Sequence, residues 1–285
     1  YFDINILDAM TGEKIKKLIK GNRGVDFEEL KWLQPGLSWS PDSKKIVFAA
    51  KAGKGDVLHV VEVETGKGEK YELDIEGVFS ASWSPLGNEI AYVGQSGNSS
   101  DIYIFDLNSQ ISKKITDDIF SDAYPTWSGD GKNIAFVSDR GNKISGEYDG
   151  FMYEHDYSQT DIYSVNVETK KIDRLTNTYH NESHPVWSKT SDNIFYTSDH
   201  NGVWNLYRHP ISGSEDSEPI PVTNVLTGLQ QPTISGDDRL LIFAGYSGIG
   251  WDLYSMANPL TLKKQTVSPT QFILNGKTEE TSIAD

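Results

Sequence analysis

The chain contains no cysteine. Disulfide staples, thiolate metal sites and a cysteine nucleophile are therefore excluded. No apolar run approaches about 18 residues, the length that a membrane-spanning helix needs. The opening Tyr1-Phe2-Asp3-Ile4 has neither the basic start nor the apolar core of a signal peptide, and reads as the middle of a strand. The chain is thus expected to be a mature form or a fragment. Positive charge is in the minority: 26 Lys and Arg against 41 Asp and Glu leave a formal net charge of −15. Such a surface repels phosphate backbones and anionic headgroups, which makes nucleic acid and bare membrane poor partners. The plainer reading of the same charge is solubility. Helical periodicity is also scarce, since only Phe27-Glu28-Glu29-Leu30-Lys31-Trp32 could wind a turn or two.

What the chain does have is a repeat. Leu37-Ser38-Trp39-Ser40-Pro41-Asp42 returns as Ala81-Ser82-Trp83-Ser84-Pro85-Leu86, as Pro125-Thr126-Trp127-Ser128-Gly129-Asp130 and as Pro185-Val186-Trp187-Ser188. A weaker copy is Pro232-Thr233-Ile234-Ser235-Gly236-Asp237. Seven residues after each anchor an apolar strand begins, at Ile46, Ile90, Ile134, Ile194 and Leu241. That spacing suits a tight hairpin with Pro, Gly and Asp in the turn. A third strand opens at Asp56, Asp101, Asp161, Asn205 and Asp252, and four units close on a short segment ending in Thr116, Thr176, Thr223 or Thr266.

Four short strands in about 44 residues are the mark of a propeller blade. A lone blade has two apolar faces that only neighbouring blades can cover. The anchor tryptophans are accordingly expected as wedges between blades. The N-terminus adds an outer half unit, with Phe2–Asp8 as third strand and Lys16–Ile19 as fourth. The expectation is an all-β, six-bladed β-propeller over residues 1–267 whose first blade is incomplete. Residues 268–285 form a tail, either a linker or a closing strand through Thr270–Leu274.

The string Trp127-Ser128-Gly129-Asp130-Gly131-Lys132-Asn133-Ile134-Ala135-Phe136-Val137-Ser138-Asp139-Arg140, completed by Asp161-Ile162-Tyr163 and Arg174-Leu175-Thr176, resembles the repeat of TolB-like propellers. Three departures stand out: Leu86 replaces the turn Asp, Lys189-Thr190-Ser191-Asp192 replaces Pro-Asp-Gly, and Ile234 replaces Trp. Similar repeats occur in the periplasmic TolB protein, which binds partner proteins. They also occur in the propellers that gate prolyl-oligopeptidase-type hydrolases, and in oligogalacturonate lyases. The resemblance implies a non-enzymatic module binding a protein or peptide in the bacterial envelope, in the periplasm or elsewhere outside the cytoplasm. The hydrolase and lyase readings stand as alternatives, since fold does not choose among them.

The residues themselves offer little catalysis. Gly94-Gln95-Ser96-Gly97-Asn98 and Gly245-Tyr246-Ser247-Gly248-Ile249 both miss the final glycine of a nucleophile elbow. His180-Asn181-Glu182-Ser183-His184 is the one histidine cluster, read either as packing histidines or as a metal or lyase site. No cofactor, metal or catalytic residue is assigned. Partner binding is expected on the face carrying the loops between second and third strands and between blades. The segment from Ile134 to Asp161 spans 27 residues against 10 or 11 elsewhere, and its insertion carries Tyr148, Phe151, Tyr153 and His155. It is read either as a binding loop or as a lid packed on its own propeller. Tyr124, His180, Glu182, His184 and Gln231 complete the candidate surface, which would suit a peptide and leaves a saccharide open.

Overall fold

A computed structural model describes residues 3–20, 29–30, 36–52, 55–142, 155–211, 218–271 and 273–274. The chain is all-β, and its sheets are antiparallel meanders in sequence order. Blade 1 holds β3 (Glu29–Leu30), β4 (Ser38–Trp39), β5 (Lys45–Ala52), β6 (Gly55–Glu62) and β7 (Gly68–Glu72). Blade 2 holds β8 (Gly77–Trp83), β9 (Glu89–Ser96), β10 (Ser99–Asp106) and β11 (Ile111–Lys114). Blade 3 holds β12 (Asp122–Trp127), β13 (Asn133–Ser138), β14 (Asp161–Asn166) and β15 (Ile172–Arg174). Blade 4 holds β16 (Glu182–Trp187), β17 (Asn193–Ser198), β18 (Asn205–Pro210) and β19 (Ile220–Pro221). Blade 5 is the three-stranded sheet of β20 (Leu229–Ile234), β21 (Leu240–Ser247) and β22 (Gly250–Ala257).

Five blades are therefore present among the described residues, rather than the six expected. The N-terminal half unit forms a two-stranded hairpin, β1 (Ile4–Leu7) with β2 (Lys14–Ile19). Its Ile4 and Ile19 pack on Ile46, Phe48, Val57 and Val61 of blade 1.

The core lies between blades. Trp127 sits among Ala91, Val93, Ile102 and Ile104 of blade 2 and Ile134 and Phe136 of its own blade. Its indole N–H donates to Ser82 O at 3.1 Å, which satisfies the ring's one polar atom. Trp83 packs likewise on blade 1 and Trp187 on blade 3. Trp39 departs from the expected wedge and is 47% exposed. Among the described residues the hairpin that precedes blade 1 contributes two strands, and no inner pair lies beside this indole.

The threonine that ends a unit has a definite task. Thr116, Thr176 and Thr223 accept, through their hydroxyl oxygens, the amides of Ile102, Ile162 and Leu206 at the start of the third strand. Thr266 does not repeat this. Gln265 N donates instead to Pro221 O at 2.8 Å, so the last segment runs along blade 4 and adds no strand to blade 5. Nor do the described residues of the tail form a closing strand. Gln271, Ile273 and Leu274 are helical, and Thr270 N donates to Asn201 O of blade 4 at 2.8 Å. The outer strand of blade 5 consequently leaves Trp251 54% exposed.

Candidate functional site: the channel mouth

Each inner strand of blades 2 to 5 slips register at one place: between Phe79 and Ser82, Ala123 and Thr126, Ser183 and Val186, and Gln230 and Thr233. The residue at each slip is left-handed, with φ of 51° at Ser80, 52° at Tyr124, 49° at His184 and 52° at Gln231. Gly36 repeats the position in blade 1 with φ of 52°. Positive φ is uncommon for residues with a side chain and marks stored strain. Here three of the four are followed by proline, Pro125, Pro185 and Pro232, which steers its predecessor away from right-handed helix. A bulge breaks the alternation of the pleat and re-aims one side chain. Repeated once per blade on adjacent inner strands, it builds a ring of re-aimed residues at one end of the central channel. The ring is tight on its blade 1 side, where a Cβ added to Gly36 would fall 2.3 Å from Ser80 Cα.

On the opposite side the ring is aromatic. The Tyr124 and His184 rings pack across blades 3 and 4 with centroids 4.3 Å apart and planes tilted by 34°. Burial pushes the His184 imidazolium down to about 4, so the ring is neutral at pH 7. Gln231 is exposed beside it on blade 5.

Beneath the mouth lie two enclosed polar knots. Glu182 is only 1% exposed and accepts hydroxyls from Thr178 at 2.7 Å, Thr176 at 3.2 Å and Ser198 at 3.3 Å. Burial, reinforced by the Asp161 carboxylate, pushes its carboxyl up from the ordinary range. Asp161 is itself bound by Arg174 at 2.6 Å. Glu182 was expected to meet a partner, but it is enclosed and ties blade 4 to the end of blade 3. The second knot is Arg140, held by Asp122 at 2.6 Å and Asp118 at 2.8 Å. The sequence reading did not single out this ion pair, although the arginine stands in the repeat string that carried the resemblance.

The remaining candidates separate. His180 packs on His200 with centroids 4.4 Å apart, while His184 packs on Tyr124, so the two histidines have different partners. Among the described residues no three His, Asp or Glu side chains gather as a metal site. His155 lies 5.2 Å from the Phe120 ring, 4.8 Å from the Tyr157 ring and 3.5 Å from an Asp139 oxygen. Gln159 donates to His180 O at 2.7 Å. The described C-terminal end of the insertion is thus packed on the propeller. Tyr148, Phe151 and Tyr153 lie outside the described residues. Tyr179, next to the cluster, is 99% exposed.

Consecutive four-stranded blades around a channel, with short hairpins at one end and longer loops at the other, define a β-propeller. Residues 29–145 match the family described as the TolB beta propeller domain, and the chain as a whole shares the β-propeller fold of TolB structures. TolB from Acinetobacter baumannii superposes with a TM-score of 0.70 at 21% identity, covering 90% of this chain and 57% of that one. A protein assigned as TolB from Agrobacterium tumefaciens gives 0.69 at 19% identity, covering 90% and 85%. An oligogalacturonate lyase in complex with manganese gives 0.60 at 13% identity, covering 93% and 71%. The chain thus spans little more than half the length of the Acinetobacter protein. No curated protein matches it.

Proposed function

We propose that the chain is a non-catalytic recognition module that binds a protein or peptide partner in the bacterial cell envelope, on the periplasmic side. The observation that carries the reading is the Tyr124–His184 aromatic pair, held on strained bulges where five blades converge. A neutral imidazole and a tyrosine offer flat apolar area with a few hydrogen-bonding atoms, the chemistry that dominates protein contacts. Because the bulges are fixed by the sheets, little ordering is needed on binding. The likeness to TolB structures supports the same class of role. A second reading, a substrate-gating propeller of a larger hydrolase, is favoured by one likeness. A prolyl endopeptidase structure matches with a TM-score of 0.55 at 17% identity, and this chain covers 38% of it.

The test compares two variants in cross-linking pull-downs from envelope extracts of the source bacterium. Tyr124→Ser with His184→Asn should lose a specific cross-linked protein. Asp130→Asn, in a hairpin turn at the other end of blade 3, should keep it. Loss with the second variant and retention with the first would refute a site at the mouth.

A further inference from the structure

The blades repeat not only strands but an aromatic pair. One ring comes from the second strand and one from the third: Tyr92 with Tyr103, Phe136 with Tyr163, Tyr196 with Tyr207 and Phe243 with Tyr254. Their centroids are 5.4, 6.0, 5.9 and 5.8 Å apart. In blade 3 this pair is covered by a cation. The Arg140 guanidinium stands 5.3 Å from the Phe136 centroid and 5.5 Å from that of Tyr163, and its charge is met by Asp118 and Asp122. In blade 4 the corresponding residue is His200, whose ring is 6.2 Å from Tyr207.

Blade 2 lacks this cover. Aligned on Ile90 and Ile134, Ser96 takes the place of Arg140. Aligned on Trp83 and Trp127, Asp74 takes the place of Asp118 and Glu76 that of Phe120. Where the arginine would lie there is an open cleft of about 800 Å³, lined among others by Tyr92, Tyr103, Ile75, Asp74, Glu76 and Ser96. Glu72 adds a third carboxylate, and no lysine or arginine is among the described lining residues. The aromatic floor is shaped for a flat group. Gly94 lets Tyr103 lie down, since a Cβ there would come within 2.7 Å of its ring. Burial pushes the Tyr92 phenol up to about 12, and its hydroxyl donates to Ser112, so the floor is uncharged.

We infer that this cleft is a second binding site, one that takes an arginine side chain from a peptide segment in the position that Arg140 fills in blade 3. Two features favour arginine over lysine: a flat guanidinium can lie on the tyrosines and engage carboxylates edge-on, whereas an ammonium presents a point charge. The site lies between blades 1 and 2, away from Tyr124 and His184, and does not depend on the reading of the mouth.

The experiment is an amide NMR titration of the whole chain with the blocked tripeptide acetyl-Gly-Arg-Gly-amide, against the same peptide carrying uncharged citrulline. The arginine peptide should saturably shift the amides of Asp74, Ser96 and Tyr103. The citrulline peptide and the Asp74→Asn variant should each bind at least about tenfold more weakly, as loss of a charge-assisted contact requires. Ser96→Arg, which places a guanidinium in the cleft from within, should abolish binding. Tyr124→Ser, at the mouth, should leave it unchanged. No saturable shift at those amides, equal response to citrulline, or unaltered binding by folded Asp74→Asn would each overturn the inference.

Discussion

The Asp238 carboxylate accepts the Ser188 hydroxyl at 2.7 Å, so the fifth blade supplies a group that the fourth blade's own turn does not have. In three other turns the serine donates to a carboxylate two residues on: Ser40 to Asp42, Ser128 to Asp130 and Ser235 to Asp237, at 2.6 to 2.7 Å. Thr190 stands at that place after Ser188. Asp238 also accepts the amides of Lys189 and Thr190, both at 2.8 Å. It reaches them from a left-handed position, φ 56°, that Gly87 and Gly131 occupy in blades 2 and 3. Aspartate tolerates that conformation better than most residues.

Removing this clasp should cost about 2 kcal/mol, since Asp238→Ala leaves two turn amides without their acceptor. Asp238→Gly discriminates the cause. Glycine relieves the backbone but offers no carboxylate, so it should lose nearly as much in urea unfolding. Full stability in the glycine variant would mean that the residue matters only for its φ.

The two anchor tryptophans that differ most in burial give a second prediction. Trp127, 1% exposed between blades 2 and 3, should cost about 3–5 kcal/mol when cut to alanine. Trp39 has the same place in the repeat but is half exposed, and Trp39→Ala should cost under about 1 kcal/mol. Similar losses from both would contradict the account of anchors as wedges that need a preceding inner pair.

The blades were legible in the sequence because their signals are local: anchor, turn and strand spacing repeat along the chain. Tyr124 and His184 do pack on each other, and Gln231 holds the same bulge position in blade 5. What was not legible is what depends on two blades at once. The missing carboxylate after Ser188 is visible as a departure, but its replacement by Asp238 is not. The exposure of Trp39 and the course of Gln265 along Pro221 are likewise set by neighbours. Glu182 illustrates the limit most clearly, since its position at a strand start beside two histidines suggested a surface group. Only packing shows it enclosed by Thr176, Thr178 and Ser198.

Glu182 carries a pH prediction. Its carboxyl is raised in the folded state, by burial first and by Asp161 second, so folding favours the protonated form. That contribution is complete below the unfolded carboxylate pKa and is lost as pH rises from there through the raised folded value. Glu182→Gln keeps a neutral group in place and should remove the loss. Relative to the variant, the parent should weaken with a slope of up to about 1.4 kcal/mol per pH unit within that window. Parallel stability curves for the two proteins from pH 5 to pH 8, a range set by ordinary glutamate titration and its upward shift, would rule out the assignment.

The end of the insertion supplies the last prediction. Among the described residues of the segment, His155 packs on the propeller between the Phe120 and Tyr157 rings and beside Asp139, while Gln159 donates to His180 O. Phe120 is buried, so removing the imidazole uncovers apolar surface and takes a polar neighbour from Asp139. His155→Ala should therefore cost about 1 kcal/mol and speed chymotrypsin cleavage at Tyr157. His155→Phe separates the two contributions, because it keeps the ring contacts and drops the nitrogen near Asp139. Recovery in the phenylalanine variant would assign the grip to packing, and continued loss would assign it to the Asp139 contact. If His155→Ala matches the parent in both stability and cleavage, the packed end does not hold the insertion down.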